Sequence, residues 1–299
     1  MKKVIKTNSA WFDREEYPFD PHFQKVKHGR MHYVDVGRGQ PIVMVHGSPT
    51  WSFMYRNLIK GLSGEYRCIA PDHLGFGLSD KPKHFSYRPE AQAENFDCFI
   101  QELGLRNIIL LVHDYGGPIA LNYAIQNPHN VSRIIMMNTW MWSRKGDFEL
   151  ERVNKLLKKR IGLYLYERMN FATRFLLKQA VNNPANLPKP ILNHYINPFA
   201  TRESRKSALV SARELIDSSD WFESLWRARE AIADTPTLLL WGMDDPFIDL
   251  NALDMWHKLF HTQRMIRLAS TGHLVPEDQK TQLCGLIKDF LHDMDAAGA

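Results

Sequence analysis

The chain has 299 residues, which is long for one domain but normal for a large α/β fold. Hydrophobic residues make up 44% and charged residues 24%, which is typical of a globular protein and excludes a disordered chain. A chain of this size buries a large core and needs no metal or disulfide to fold. The three cysteines are an odd number and form no metal-type cluster, so we expect a reducing compartment, the cytoplasm.

The charge balance raises the question of nucleic-acid binding, because the net charge is +5 and the pI is about 9.0. Much of the excess lies in residues 144–160, where basic residues alternate with apolar ones, such as Leu156 and Ile161, at helical spacing. We interpret this stretch as the solvated face of an amphipathic helix. The first twenty residues lack an apolar stretch and predict no signal peptide. We therefore expect neither nucleic acid nor a membrane as a partner.

Short β-rich runs alternate along the chain with helical patterns. The later runs are continuously apolar, which is typical of strands covered on both faces in a parallel sheet. The predicted strands are residues 31–36, 41–46, 67–72, 107–113, 133–138, 235–242 and 264–269. The helices predicted between them are residues 55–62, 89–103, 118–127, 250–260 and 277–292.

The alternation breaks once, in residues 139–234, which show helical periodicity and no clear strand. The plainest helical segments there are residues 150–163, 169–180 and 206–216. We predict that residues 139–234 are a helical cap, inserted after the strand that ends at residue 138, in a core formed by residues 1–138 and 235–299. Insertions at the carboxyl edge of such a sheet usually cover the ligand crevice.

The sequence VHDYGG, residues 112–117, lies between an apolar strand run and a helical pattern. This is the context of a nucleophile elbow, whose serine version is G-x-S-x-G. Asp114 occupies the serine position, and Gly116 and Gly117 would allow the strained turn and the close contact of helix and strand. Val112 departs from the serine pattern at the first small position. An aspartate before a helix can also be a plain N-cap, so this motif alone leaves both interpretations open.

Two further segments favour catalysis. An α/β-hydrolase forms its oxyanion hole from the amide after the nucleophile and from one in an earlier loop, here the N–H groups of Tyr115 and Ser48 in HGSP. Near the C-terminus, Asp244 and Asp245 follow a buried strand, and His273 follows the last strand. The order nucleophile, acid, histidine is that of the α/β-hydrolases. We prefer Asp245 as the acid for its spacing in W-G-x-x-D, with Asp244 as the alternative.

Together these motifs resemble the haloalkane dehalogenase branch of the α/β-hydrolases, nearest to members with an Asp-His-Asp triad. The resemblance implies an α/β-hydrolase fold with a mostly parallel central sheet. It also implies that Asp114 forms a covalent ester with a small apolar organic substrate, that His273 activates water, and that no metal or organic cofactor takes part. The similarity spans the core but not the cap. It rests on HGSPTWSFMYRN, APDHLGFGLSDKP, HDYGGPIAL, WGMDDPF and TGHLVPED.

Two positions depart from the pattern of this branch. Its members usually hold the leaving halide with an indole N–H directly after the nucleophile and with a second donor, often an Asn after the His-Gly pair or a Trp of the cap. Tyr115 and Ser48 stand at these positions here. Trp51, Trp140 and Trp142 are further candidates for leaving-group or substrate contacts.

The substrate stays open among several classes. Halide displacement from a haloalkane is our first hypothesis. The second is epoxide opening, in which the cap tyrosines Tyr164, Tyr166 and Tyr195 are the candidate donors to the opening oxygen. The third is a β-lactone attacked by Asp114, because DHLGFGLSDKP is similar in relatives of that kind. A non-catalytic ligand-binding relative is the remaining alternative, and the complete triad disfavours it.

Overall fold

The computed structural model describes residues 11–298. The first ten residues, which carry part of the signal-peptide prediction, lie outside this range. Eight strands form one sheet: β1 His22–Val26, β2 Gly29–Val36, β3 Pro41–Val45, β4 Arg67–Pro71, β5 Ile108–His113, β6 Val131–Met137, β7 Thr237–Gly242 and β8 Gln263–Leu268. Their order across the sheet is β1-β2-β4-β3-β5-β6-β7-β8.

The sheet is mostly parallel, as predicted. β2 runs antiparallel to β1 and β4, whereas the strands from β4 to β8 are parallel to one another. Because side chains alternate between the faces of a strand, β5 sends Leu110 and Val112 into one core and Ile109 and Leu111 into the other. Both faces are therefore buried, which explains the continuous apolar runs.

Helices cover both faces of this sheet. The core helices are α1 Arg56–Leu62, α2 Pro89–Glu102, α3 Gly116–Gln126, α10 Leu250–Leu259, α11 Val275–Asp278 and α12 Leu283–Gly298, with α4 to α9 lying between β6 and β7. α2, α3 and α10 pack on one face, and α1 and α12 pack on the other. The doubly covered sheet confirms the predicted fold class. No helix within residues 11–298 combines the length and apolar character needed to cross a membrane.

The insertion, residues 139–234, joins β6 to β7 and is helical throughout its ordered elements. Residues 164–168 and 172–176 form two π-helical turns. The first lies between two predicted helical segments, and the second lies within the segment predicted over residues 169–180. In α4, Asp147 caps the N-terminus by accepting from the N–H of Leu150. The α-helices of the insertion are α4 Phe148–Leu157, α5 Arg160–Leu163, α6 Leu177–Gln179, α7 Lys189–Ile196, α8 Lys206–Asp217 and α9 Ser219–Arg227.

Four other elements differ from the sequence prediction. β1 was missed because its side chains are mostly exposed and form no apolar run. The helix predicted over residues 277–292 is two helices, α11 and α12, separated by four residues. Helices α7 and α9 were not predicted. None of these differences touches the edge of the sheet where the candidate residues lie.

Candidate active site

Asp114 follows β5 directly and precedes α3, at a sharp turn. Its φ of 50° lies in the left-handed region, which is strained for a residue with a side chain. The turn needs small neighbours, because a Cβ on Gly116 would lie 2.0 Å from the carbonyl oxygen of Val45. The side chain of Asp114 therefore leaves the sheet toward the β3 loop and does not cap α3, for which no side-chain cap hydrogen bond is made.

The HGSP loop after β3 contacts this carboxylate. The backbone N–H of Ser48 donates to Asp114 Oδ1 over 2.8 Å. The preceding residue must be glycine, because a Cβ on Gly47 would lie 2.1 Å from the same oxygen. The backbone N–H of the next residue, Tyr115, helps to lower the pKa of Asp114 as well. The two amides named from the sequence thus converge on one carboxylate.

His273 lies between two carboxylates. Its Nδ1 donates to Asp245 Oδ2 over 2.8 Å, and its Nε2 lies 3.5 Å from Asp114 Oδ2. All three side chains are largely shielded from solvent, with exposures of 7% for His273, 13% for Asp114 and 1% for Asp245. Asp244, the alternative acid, is exposed, and its backbone N–H donates to the carbonyl of Thr271.

Electrostatics couples these three groups. Burial opposes the charge of Asp114, but the hydrogen bond and charge of His273 outweigh it and lower the pKa of Asp114 below its usual range. Burial likewise opposes the imidazolium form. The charges of Asp245 and Asp114 outweigh that effect and raise the pKa of His273. At neutral pH these two shifts favour a charged carboxylate at Asp114 beside a charged imidazolium at His273.

Two polar residues that the sequence did not single out hold this arrangement. Asn138, at the end of β6, donates to Asp245 Oδ2 over 2.8 Å and binds the backbone of Gly242. His113 donates from Nε2 to the carbonyl of His273 over 2.8 Å. Burial and the nearby His273 lower the pKa of His113 to about 4, which keeps it neutral. The position of His113, directly before Asp114, is the one signal that could have pointed to it.

Comparison with known proteins agrees with this fold and geometry. A model of the alpha/beta hydrolase fold family matches residues 40–280. Haloalkane dehalogenase 2 of Mycobacterium bovis is 30% identical over 92% of this chain and 96% of its own length. The chain is a haloalkane dehalogenase-like member of the α/β-hydrolase family. This membership makes it a hydrolase and confirms the resemblance drawn from the motifs.

Other similar proteins bear on the specificity of this α/β-hydrolase. The cis-3-alkyl-4-alkyloxetan-2-one decarboxylase of Shewanella oneidensis is 30% identical over 93% of this chain and 90% of its own length. Among solved structures, haloalkane dehalogenase DbeA from Bradyrhizobium elkani has a TM-score of 0.85 and 27% identity, covering 93% of this chain and 99% of that one. Relatives named for different reactions are thus similar to this chain over most of its length.

The carboxylate of Asp114 and the ring of His273 line a cavity of about 260 Å³ between the sheet and the insertion. Most of the lining is apolar, as is usual for a site that binds a small organic molecule. Its insertion side is formed by Leu150, Ala172, Leu176, Ala208 and Leu215.

The packing argues against three of the candidates as donors to a leaving group. Trp51 is fully buried in the core and donates to the carbonyl of His194, so it cannot reach the cavity. Trp142 packs against Trp226 and Trp256, outside the cavity lining. Tyr115 does line the cavity, but its hydroxyl donates to the carbonyl of Ser211 over 2.6 Å and is not free to bind a leaving group.

Besides Tyr115, the candidates Trp140 and Tyr166 lie at the cavity. Trp140 lines it, and its buried indole N–H has no hydrogen-bond partner among the described residues. Tyr166 also lines the cavity, and burial raises its pKa to about 12, so it stays protonated. The other cap tyrosines lie elsewhere: Tyr164 is exposed, and Tyr195 is buried with its hydroxyl bonded to Glu277.

Proposed function

We propose that this α/β-hydrolase converts a haloalkane and water into an alcohol, a halide ion and a proton, through a covalent ester on Asp114. The observation that supports this best is the pair of contacts on that carboxylate, from the Ser48 N–H at 2.8 Å and from His273 Nε2 at 3.5 Å. Both lie in a mostly apolar cavity, where an ionised carboxylate is poorly solvated and reactive.

In the first step an oxygen of Asp114 attacks the carbon in line with the carbon–halogen bond. The new C–O bond forms as the halide leaves with the bonding electrons. Asp114 needs no base for this step, because its lowered pKa keeps it ionised at neutral pH. Ser48 and Tyr115 hold the carboxylate through their backbone N–H groups.

In the second step water attacks the ester carbonyl of Asp114, and His273 Nε2 takes the proton. Esterification removes the negative charge of Asp114, one cause of the raised pKa of His273, so that pKa falls when a base is needed. The oxyanion that forms is stabilised by the same two amides, at roughly 3 kcal/mol for a good donor. When it collapses, the bond between the carbonyl carbon and the alkoxy oxygen breaks, and His273 gives its proton to the departing alcohol. The regenerated carboxyl group of Asp114 then releases a proton and is ionised again. Asp245 orients the imidazole and stabilises its charged form.

Leaving-group stabilisation is assigned to Trp140 in this proposal. Its indole N–H is buried and has no partner within residues 11–298, which is costly unless a ligand accepts from it. We also propose that residues 139–234 act as the cap over this cavity, since they supply its apolar side. Cytoplasmic location remains a prediction from the cysteines.

A β-lactone is the second candidate substrate. One relative that is 30% identical is named a decarboxylase of cis-3-alkyl-4-alkyloxetan-2-one. The engaged hydroxyl of Tyr115 leaves fewer halide donors than a dehalogenase usually has, which favours this alternative. Epoxide opening is the third candidate, with Tyr166 as the one cap tyrosine that lines the cavity.

These candidates are separated by offering the purified protein a 1-bromoalkane, a terminal epoxide and a cis-dialkyl β-lactone in parallel. We expect bromide and acid release from the first, with diol and alkene absent from the others. An Asp114→Ala variant is the control, and it should lose any true activity. Alkene from the lactone with no bromide release would replace our first candidate by the second.

A further inference from the structure

The positive charge of this protein is concentrated in one part of the insertion. Residues 144–178 contain ten basic and four acidic side chains, a surplus of six positive charges. The whole chain has a surplus of five. The rest of the molecule therefore carries no net positive charge, and the basic pI comes from this segment alone.

The same segment holds most of the exposed apolar side chains. Ten large hydrophobic residues are exposed within the described residues, and seven of them lie in residues 148–175. Phe148 is 73% exposed, Tyr164 58% and Ile161 53%. Scattered single apolar residues on a surface need no explanation, but such a concentration in one segment usually marks an interaction site. The seven are Phe148, Val153, Leu156, Ile161, Tyr164, Met169 and Phe175.

Helix α4 shows how the two kinds of side chain are arranged. Its buried face is formed by Asn154 and Leu157, which pack against the rest of the insertion. Phe148, Arg152 and Leu156 follow one another at intervals of four residues, so they share the outer face. Lys155 and Lys159 flank this row and line the same surface groove. Apolar and cationic side chains therefore stand side by side on one exposed face.

Several of the cations form no ion pair within residues 11–298, although Glu149 and Glu151 line the same groove. Lys155, Lys159, Arg160 and Lys178 form no ion pair within the part of the chain that the structure describes. Lys158, by contrast, is bonded to Asp217. A surface with free cations is complementary to an extended anionic one.

The basic, apolar segment adjoins the cavity. Leu150 lines the cavity from α4, two residues after exposed Phe148, and Leu176 lines it next to exposed Phe175. On the core side, Phe247 lines the cavity and is itself 40% exposed. Exposed apolar side chains thus come from three segments that also form the cavity wall.

We propose that residues 144–178 dock this protein on the surface of a bilayer that contains anionic lipid, with the cavity near the membrane. Interfacial segments combine Lys and Arg with Phe and Leu in this way, and they are drawn by both anionic headgroups and the apolar boundary. An acidic protein partner would match the charges but would not require seven separate apolar side chains. The predicted absence of a membrane partner, which rested on the lack of a signal peptide or span, is revised by this proposal to exclude only membrane-spanning segments.

Flotation of the full chain with vesicles tests the proposal. We expect binding to vesicles of phosphatidylcholine with phosphatidylglycerol at low salt, release at high salt, and little binding to phosphatidylcholine alone. A lysine near an anionic surface contributes about 1 kcal/mol, about fivefold in partition. Lys155→Gln with Lys159→Gln should therefore weaken binding by about 25-fold. Phe148→Ser should weaken it by about tenfold.

Matched variants on the core serve as controls. Lys25→Gln with Lys258→Gln removes two exposed lysines elsewhere, and Phe23→Ser removes the exposed phenylalanine of β1. These should bind vesicles like the unaltered chain. All variants should keep their circular dichroism spectrum and their turnover of a short, water-miscible substrate, because the changed side chains lie outside the cavity lining.

Three outcomes would overturn the proposal. The first is the absence of flotation with anionic vesicles at low salt. The second is flotation that the two insertion variants leave unchanged. The third is that the chain does not bind vesicles but self-associates, as measured by light scattering, and that the insertion variants abolish this self-association. The face would then be an interface between copies of this chain. None of these outcomes bears on the chemistry of Asp114.

Discussion

The two walls of the cavity are built on different principles. On the core wall, Asp114, His273 and Asp245 form a chain of hydrogen bonds and close ion pairs that is fixed at both ends by Ser48 and Asn138. The insertion wall is mostly leucine and alanine, carried partly on π-helical turns. Reaction chemistry is therefore expected to depend on the core wall, and choice of substrate on the insertion wall.

This difference has a physical origin. A polar contact needs a donor and an acceptor at hydrogen-bond distance, so strands and tight turns must hold the core wall rigidly. Apolar contacts are not directional and tolerate changes of shape. Substitutions on the two walls should accordingly differ in size and in kind.

Apart from the loss of Asp114 or His273 themselves, the largest effect on steady-state turnover should come from Asp245→Asn. The amide cannot stabilise the imidazolium form of His273 and would favour the wrong tautomer, so we expect a loss of about 10³- to 10⁴-fold. Stopped-flow measurement should assign the loss to ester hydrolysis. Asp244→Asn, which changes the exposed neighbour, is the control and should lose less than about twofold. A large loss in the control would contradict our choice of acid.

The pH dependence should divide the two chemical steps. The pKa of Asp114 is lowered, so the rate of halide release should stay flat from neutral pH down to about pH 5. The pKa of His273 is raised, partly by the charge of Asp245. Asp245 keeps this charge when Asp114 is esterified, so part of the increase persists in the ester intermediate. Because hydrolysis needs neutral His273, its rate should rise about tenfold per pH unit below that pKa and then level off. Rapid-quench measurement of the two steps checks this, and the opposite assignment of the slopes would refute it.

Trp140→Phe should have a smaller effect, because it removes one N–H donor and keeps the ring. One hydrogen bond to a leaving halide is worth about 1.5 kcal/mol, so halide release should slow by about tenfold. The loss should be greater for a chloride than for an iodide, since chloride is the poorer leaving group. An equal loss for every halide would point to altered packing against Tyr115 and Phe222 instead.

The smallest effect is expected on the insertion wall. Tyr166→Phe removes a hydroxyl that the halide reaction does not use, so bromoalkane turnover should change by less than about threefold. Epoxide opening, if present, should fall by 10²-fold or more, because the opening oxygen would lose its donor. A loss of that size with bromoalkanes would show that the insertion wall takes part in the chemistry.

Sequence reasoning worked best where local geometry requires particular residues. The turn at Asp114 needs Gly116, and the close approach of the β3 loop to the Asp114 carboxylate needs Gly47. These glycines are part of the motifs, so the motifs predict the local fold. Continuous apolar runs identified the central strands for the same reason. The edge strand β1 has no continuous apolar run, because most of its side chains are exposed.

Tertiary packing decided what the sequence could not. The sequence does not distinguish Trp51, Trp140 and Trp142 as candidates. Of these three, Trp140 lines the cavity. The π-helical turns of the insertion depend on long-range contacts and leave no periodic signal. Asn138 acquires its bond to Asp245 because β6 and β7 are neighbours, a pairing that residues distant in sequence do not reveal.

The central claim, covalent catalysis by Asp114, is tested most directly by replacing His273 and measuring the mass of the protein after reaction. In a His273→Phe variant the ester should form but not hydrolyse, so a 1-bromoalkane should release one bromide per chain. The intact mass should then rise by the mass of the alkyl group less that of one hydrogen atom. Peptide mapping should locate the adduct on the peptide that contains Asp114. An unmodified chain, or an adduct on a different residue, would contradict covalent catalysis by this aspartate.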